Sequence, residues 1–238
     1  MERIYSDTSV LLSYIQHWVE QNDEVLAIID STEWDLHSGL TVAEELSSRR
    51  DVRRNLYTFL LSESRGGIHT DAEDFSIESM DVDQLPYISP PPTGNDLGHL
   101  ENLIEKFQNL SSGDLVTLNG DEIEYQGSEN NPFFLREYQA EARSRERDIV
   151  DSITICQEEY DPDLREKIND EIDNTQDSKV LAEAVEWRYI YSDNQPDKVV
   201  TLDRWDMYKK ETEINEAISN EKSEHAQLNI VLPSNLVS

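Results

Sequence analysis

Apolar positions along the chain follow two rhythms, short β-branched or aromatic runs that end in an acid and longer stretches with apolar residues three and four apart. The first run is Arg3-Ile4-Tyr5-Ser6-Asp7-Thr8-Ser9-Val10-Leu11-Leu12, which predicts a strand ending at Asp7 and then a helix over 8–20. Thr8 and Ser9 offer capping oxygens, and Val10, Leu11, Tyr14, Ile15 and Trp18 share a helical face. Asp7 is thereby either a plain helix cap or a carboxylate at the carboxyl edge of an α/β sheet, where ligands bind. A second run of this kind, Val199-Val200-Thr201-Leu202-Asp203-Arg204-Trp205-Asp206, lies far downstream.

Between them the pattern predicts a short helix over 23–30, favoured over a strand by its leading acids. A short strand over 34–42 then leads to Thr41 as an N-cap, with a helix carrying Glu44 and Glu45 and continuing through Arg49, Arg50, Arg53 and Arg54 to Leu60. Adjacent helical residues point about 100° apart, so only one of Glu44 and Glu45 can face Asp7. Residues 64–98, with Gly66, Gly67, Pro86 and Pro90 to Pro92, read as an irregular loop, and His69 within it and His99 beside it read as solvated. A helix over 99–110 and a hairpin about Asn119-Gly120 follow, so that 64–130 forms an insertion in the core domain. Residues 132–159 predict one long helix, and Asp161-Pro162 opens another. Asp177 stands as the N-cap of a helix that buries Val180, Leu181, Ala184 and Val185. Beyond a domain of 1–210, residues 211–238 form an extension with a helix about Ile214, Ala217 and Ile218 and a strand over 228–232. His17 reads as a surface or helix-end residue, and His225 has no role.

Charge changes this picture. With 51 acidic against 20 basic residues the formal net charge is −31, spread over the whole length and not gathered in one block. An acid-rich surface in which Arg outnumbers Lys resembles that of proteins from salt-loving archaea; an acidic mimic of nucleic acid fits the even spread less well. Charge repulsion reaches about 30 Å at 0.01 M salt against roughly 3 Å at 1 M, so the folded state should melt at a lower temperature in millimolar than in molar potassium chloride. Identical melting curves in the two salts would count against a salt-adapted surface.

No apolar stretch approaches the ~18 residues of a membrane span, and the start lacks a basic region followed by an apolar run. A cytoplasmic protein with no membrane partner is expected. The single Cys156, in Ser-Ile-Thr-Ile-Cys, is a small buried apolar residue, and there is neither a His/Cys cluster suited to zinc nor a Gly-x-x-x-x-Gly-Lys phosphate loop.

Four segments in order, Asp-Thr-Ser-Val-Leu-Leu from Asp7, Thr-Val-Ala-Glu-Glu-Leu around Glu44, Asp-Ser-Lys-Val-Leu-Ala-Glu-Ala from Asp177, and Val-Thr-Leu-Asp-Arg-Trp-Asp-Met around Asp203, resemble the four acidic motifs of PIN-domain ribonucleases. The resemblance covers residues 3–60 and 145–210. It implies a three-layer α/β fold with a mostly parallel central sheet between helices, and a site that cuts RNA with magnesium or manganese. Carried across, the catalytic acids are Asp7, Glu44 or Glu45, Asp177 and Asp203, with Asp7, Asp177, Asp203 and Asp206 as metal ligands. The 177–203 interval is longer than that family usually shows, and the middle of the chain exceeds that of its short toxin members. An inactive PIN-like module that binds RNA or a protein is the alternative, and self-association is left open. Arg50 and Arg54 share a helical face and are candidates to grip RNA phosphate, against the plainer role of offsetting nearby acids.

Overall fold

In chain order the elements are β1 (Glu2–Ser6), α1 (Thr8–Ile15), α2 (His17–Glu20), α3 (Asp23–Ile29), β2 (Trp34–Gly39), α4 (Leu40–Arg65), α5 (Gly94–Gln108), β3 (Leu115–Leu118), β4 (Asp121–Glu124), α6 (Asn131–Ser152), β5 (Thr154–Cys156), α7 (Pro162–Ile172), α8 (Thr175–Tyr191), β6 (Lys198–Val200), α9 (Glu211–Glu221) and β7 (Asn229–Val231). The computed structural model describes residues 2–20, 22–65, 91–118, 120–127, 131–157, 159–191, 198–222 and 226–237. The Gly66-Gly67 pair, His69, Asn119 and His225 lie outside them. Contacts divide the chain into two compact units, Met1–Tyr14 with Asn22–Leu46 and Asp148–Ser238, and Ile15–Gln21 with Ser47–Arg147.

The first unit is α/β. Its five-stranded sheet has the order β5-β2-β1-β6-β7, and every pairing is parallel. Counted by its own strands the order is 3-2-1-4-5, so the direction of winding reverses between β1 and β6. That reversal is the switch point at which open parallel sheets leave a crevice outside the carboxyl ends of their strands. The central strands are short and apolar because helices cover the sheet: Ile4, Tyr5, Val199 and Val200 have no exposed surface. On α8, Val180, Leu181, Ala182, Ala184, Val185 and Trp187 are all buried, and Tyr5 packs its ring against Trp187 at 5.5 Å.

The segment from 211 belongs to this unit. Ile214 and Ile218 of α9 are buried, and β7 closes the sheet edge beside β6. Local chemistry explains several element ends. Asp161 caps α7 through Asp163 and Leu164 ahead of Pro162, and Asp173 ends that helix in the left-handed region at φ 52°.

Other boundaries depart from the periodicity. The helix expected over 8–20 breaks at Gln16 into α1 and α2. The long helix expected over 132–159 stops at Ser152, and Thr154–Cys156 becomes edge strand β5, whose three residues are too few to show a period of two. Cys156 is buried, as its apolar setting suggested, with its thiol 3.8 Å from His37 Nδ1.

The second unit has its own core: Leu56, Leu100, Leu103, Leu118, Phe134 and Tyr138 are buried together. The β3–β4 hairpin is antiparallel, with Gly120 at φ +82° in its turn. This unit reaches beyond the 64–130 expected for an insertion. It also corrects the reading of residues up to 98 as loop, because α5 begins at Gly94 behind a Thr93 and Asp96 capping box. Asp96 has no exposed surface and holds Arg49 at 2.9 Å and Arg53 at 3.2 Å. Burial opposes its ionisation, but the Thr93 amide and hydroxyl and the two guanidiniums outweigh that, so its carboxyl titrates below the ordinary value. His99 is a second correction: it is 3% exposed, with its Nε2 2.6 Å from the Tyr57 hydroxyl and 3.3 Å from that of Tyr138. Helical spacing put it on the apolar face, and the two phenols supply the polar company that burial requires. Among the described residues no helix is long and apolar enough to cross a membrane.

Candidate metal centre

The acids expected at the site come from four places in the first unit. Asp7 directly follows β1, its backbone N–H bonded to the Val200 carbonyl of β6, so it stands at the switch point. It is 5% exposed. Its Oδ2 accepts the Ser9 hydroxyl at 2.6 Å and the Thr201 hydroxyl at 2.9 Å. Thr201 Oγ1 in turn accepts the Asp203 N–H at 2.9 Å, and Ser9 Oγ accepts the Leu202 N–H at 3.1 Å. Two hydroxyls therefore stitch the end of β1 to the turn after β6.

Asp203 caps that turn. Its Oδ1 accepts the N–H groups of Trp205 and Asp206, both at 2.8 Å. The turn, Arg204–Tyr208, is a single π-helical turn, a form found often at functional sites. It brings Asp206 back beside Asp203. Asp177 enters from α8. It is the third residue of that helix and not its cap: Asn174 fills the cap by accepting the Gln176 and Asp177 N–H groups, and donates its own amide to the Asp177 Oδ2 at 2.5 Å. An earlier Asx cap thus moved the helix start by one turn, and the same exchange fixes the Asp177 side chain.

Oxygens of Asp177, Asp203 and Asp206 lie within 4.8 Å of one another, all three residues half-buried. Asp7 adjoins this triad without belonging to its closest group. Burial pushes the Asp177 carboxyl up to about 8, and the charges of Asp7, Asp203, Glu45 and Asp206 add to the rise. The Asp7 carboxyl is also raised, first by burial and then by Glu45, against the hydroxyl bonds that favour its charged form.

Of the two glutamates, Glu45 is the one turned to this site. It is half-buried, accepts the Thr8 hydroxyl at 2.9 Å, and acts electrostatically on both Asp7 and Asp177. Glu44 is exposed and acts on Glu183 instead.

Glu183 is the buried acid that motif reading missed. It is 6% exposed and accepts the Thr41 N–H at 3.0 and 3.1 Å, the Thr41 hydroxyl at 2.5 Å and the Tyr5 hydroxyl at 3.3 Å. Thr41 accordingly lies inside the first turn of α4 and is not its N-cap. The carboxylate that satisfies that turn comes from another helix, where an anion at a helix N-terminus is electrostatically favoured. Spacing hides it, since Glu183 shares a helical face with Lys179 and Glu186 and reads there as one more solvated acid.

Arg50 is engaged by Glu146 at 2.8 Å and by Asp51 at 3.0 Å, and Arg54 is exposed. These partners are the acids that the plainer role of the Arg cluster calls for. No family model matches the chain, and no curated protein or solved structure is detectably similar to it.

The raised Asp177 carboxyl gives a pH dependence. Its folded value, about 8, exceeds the ordinary 3.8, so the folded state binds the proton more tightly than the unfolded chain. The stability this contributes is full below about pH 4 and is lost as pH rises through 8. In metal-free buffer the melting temperature of the wild type should fall more between pH 5 and pH 9 than that of Asp177→Asn. Parallel pH profiles for the two proteins would place the raised carboxyl elsewhere.

Proposed function

We propose that this chain is a divalent-metal-dependent ribonuclease of PIN-like build that hydrolyses RNA phosphodiester bonds. The observation that carries the reading is the meeting of Asp177, Asp203 and Asp206 within 4.8 Å, with Asp7 and Glu45 beside them, at the switch point of a parallel sheet. The strand order and the order of the four acids along the chain support it.

The donor set fits the ion. All the candidate ligands are carboxylate oxygens, which suit hard cations such as Mg2+ or Mn2+. Burial first, and then the charges of Asp7, Asp203, Glu45 and Asp206, hold the Asp177 carboxyl up at about 8, and a cation would offset the charge part of that rise. A bound ion of this kind neutralises phosphate charge and makes hydroxide available near neutral pH.

The chain's own groups have separate tasks. Asp177, Asp203 and Asp206 would hold the ion. Asp7, with one oxygen fixed by Ser9 and Thr201, orients the attacking water and takes up its proton. Thr201 is a positioning residue, since it ties the Asp7 carboxylate to the backbone of Asp203. Glu45 completes the negative wall through Thr8.

Incubating the protein with labelled single-stranded RNA in molar potassium chloride tests the reading. Cleavage with manganese, lost on adding chelator and restored by excess manganese, is the expected result. Intact RNA under all three conditions overturns it and favours a PIN-like module that binds without cutting.

A further inference from the structure

A cleft of about 530 Å³ opens at the carboxyl ends of β2 and β5, and its walls include Glu44, Glu159, Tyr160, Arg165, Lys179 and Glu183. The metal centre lies at β1 and β6 of the same sheet edge, two strand spacings or about 10 Å along. Helix α8 joins them: Asp177 belongs to the metal centre, and Lys179 and Glu183 border the cleft.

The two cations set this cleft apart. In a chain with 51 acids, the side chains of Arg165 and Lys179 have no hydrogen-bond or ion-pair partner among the described residues. Elsewhere among the described residues the cations whose side chains lack a partner, Arg54, Arg136 and Arg204, are exposed, whereas these two are half-buried, and others are held. Lys222 holds Asp161 and Glu186, Arg50 holds Glu146, and Arg49 and Arg53 hold Asp96. Glu183, the nearest buried acid, is occupied by Thr41 and Tyr5. Leaving two cations unpaired in a concave site beside abundant acids suits an anion that arrives from outside. Tyr160, half-buried on the same wall, gives a face on which a base can stack. Glu44 and Glu159 offer acceptors for exocyclic amino groups of a base.

We infer that this cleft is a nucleotide subsite for single-stranded RNA, holding the nucleotide next to the cleaved phosphodiester, with Arg165 and Lys179 on its phosphate and Tyr160 against its base. The inference rests on the ribonuclease reading for its choice of ligand. It assigns substrate contact to Arg165 and Lys179, where the Arg50 and Arg54 pair had been the candidate, and those two arginines lie in the other unit. In concentrated salt, short-range contacts of this kind survive when long-range attraction does not.

The test is binding of a labelled RNA oligonucleotide by fluorescence anisotropy in chelator at one fixed salt concentration, so that nothing is cut. Arg165→Gln with Lys179→Gln should raise Kd at least about tenfold, as loss of charge-assisted contacts to phosphate implies. Tyr160→Ala should raise Kd separately, and the melting-temperature gain from manganese alone should stay unchanged in all variants. Wild-type protein that binds RNA through this cleft without cutting it leaves the subsite standing and sinks the ribonuclease reading. Wild-type protein that cuts RNA, with variants that bind and cut equally well, overturns the subsite and leaves the enzyme. Failure of the wild type to bind RNA overturns it too.

Discussion

Asp7→Asn should lower manganese-dependent RNA cleavage by at least about a hundredfold, the lower end for a group that takes up a proton in the reaction, while leaving the fold as stable as before or more so. The loss is expected because the amide cannot take a proton from water. It also removes the charge that acts most strongly on Asp177, where Asp7 ranks next after burial among the causes of the raised carboxyl. Stability should hold because Asp7 is a buried carboxylate beside like charges, and an asparagine Oδ1 can still accept from Thr201 or Ser9. Two measurements check this together, single-turnover cleavage in manganese and thermal unfolding in chelator. Lost cleavage with a lowered melting temperature would instead make Asp7 a structural link between β1 and the turn after β6.

The same residue shows what the sequence made legible. Asp7 could be placed because strand, cap and helix are local events, coded within ten consecutive residues by β-branching, hydroxyls and a helical apolar face. The hairpin at Gly120, the cap at Asp161, the buried face of α8 and the edge strand near 230 were readable for the same reason. What could not be read depends on partners far away in the chain. Asp96 looks like one more acid in an acidic protein until Arg49 and Arg53, over forty positions earlier, close on it. His99 looks solvated until Tyr57 and Tyr138 flank it. Glu45 could not be told from Glu44 without knowing which side of α4 meets Thr8. Asp206 and Asp177 were named as acids, but the π-helical turn and the Asn174 cap that aim them at each other leave little trace in hydrophobic spacing.

The largest structural effect should come from Gly39→Ala, a change of one methyl group at the end of β2. An added Cβ there would overlap the Glu183 carboxylate and the Tyr5 hydroxyl. Glu183 cannot swing aside cheaply, because its oxygens satisfy the Thr41 N–H and hydroxyl in the first turn of α4 and accept from Tyr5. Either the strand end moves, disturbing the edge that carries both sites, or the cap is broken and a buried N–H is left without a partner. Overpacking of this kind costs about 3 kcal/mol, which for a chain of this size lowers the melting temperature by on the order of 10 °C. A double-mutant cycle isolates the cause. Glu183→Ala alone should destabilise through the orphaned Thr41 N–H, and adding Gly39→Ala to it should cost less than Gly39→Ala costs in the wild type, since the clashing carboxylate has gone and only the overlap with the Tyr5 hydroxyl is left. If Gly39→Ala costs as much in the Glu183→Ala background as in the wild type, the glycine does not serve the close approach of Glu183.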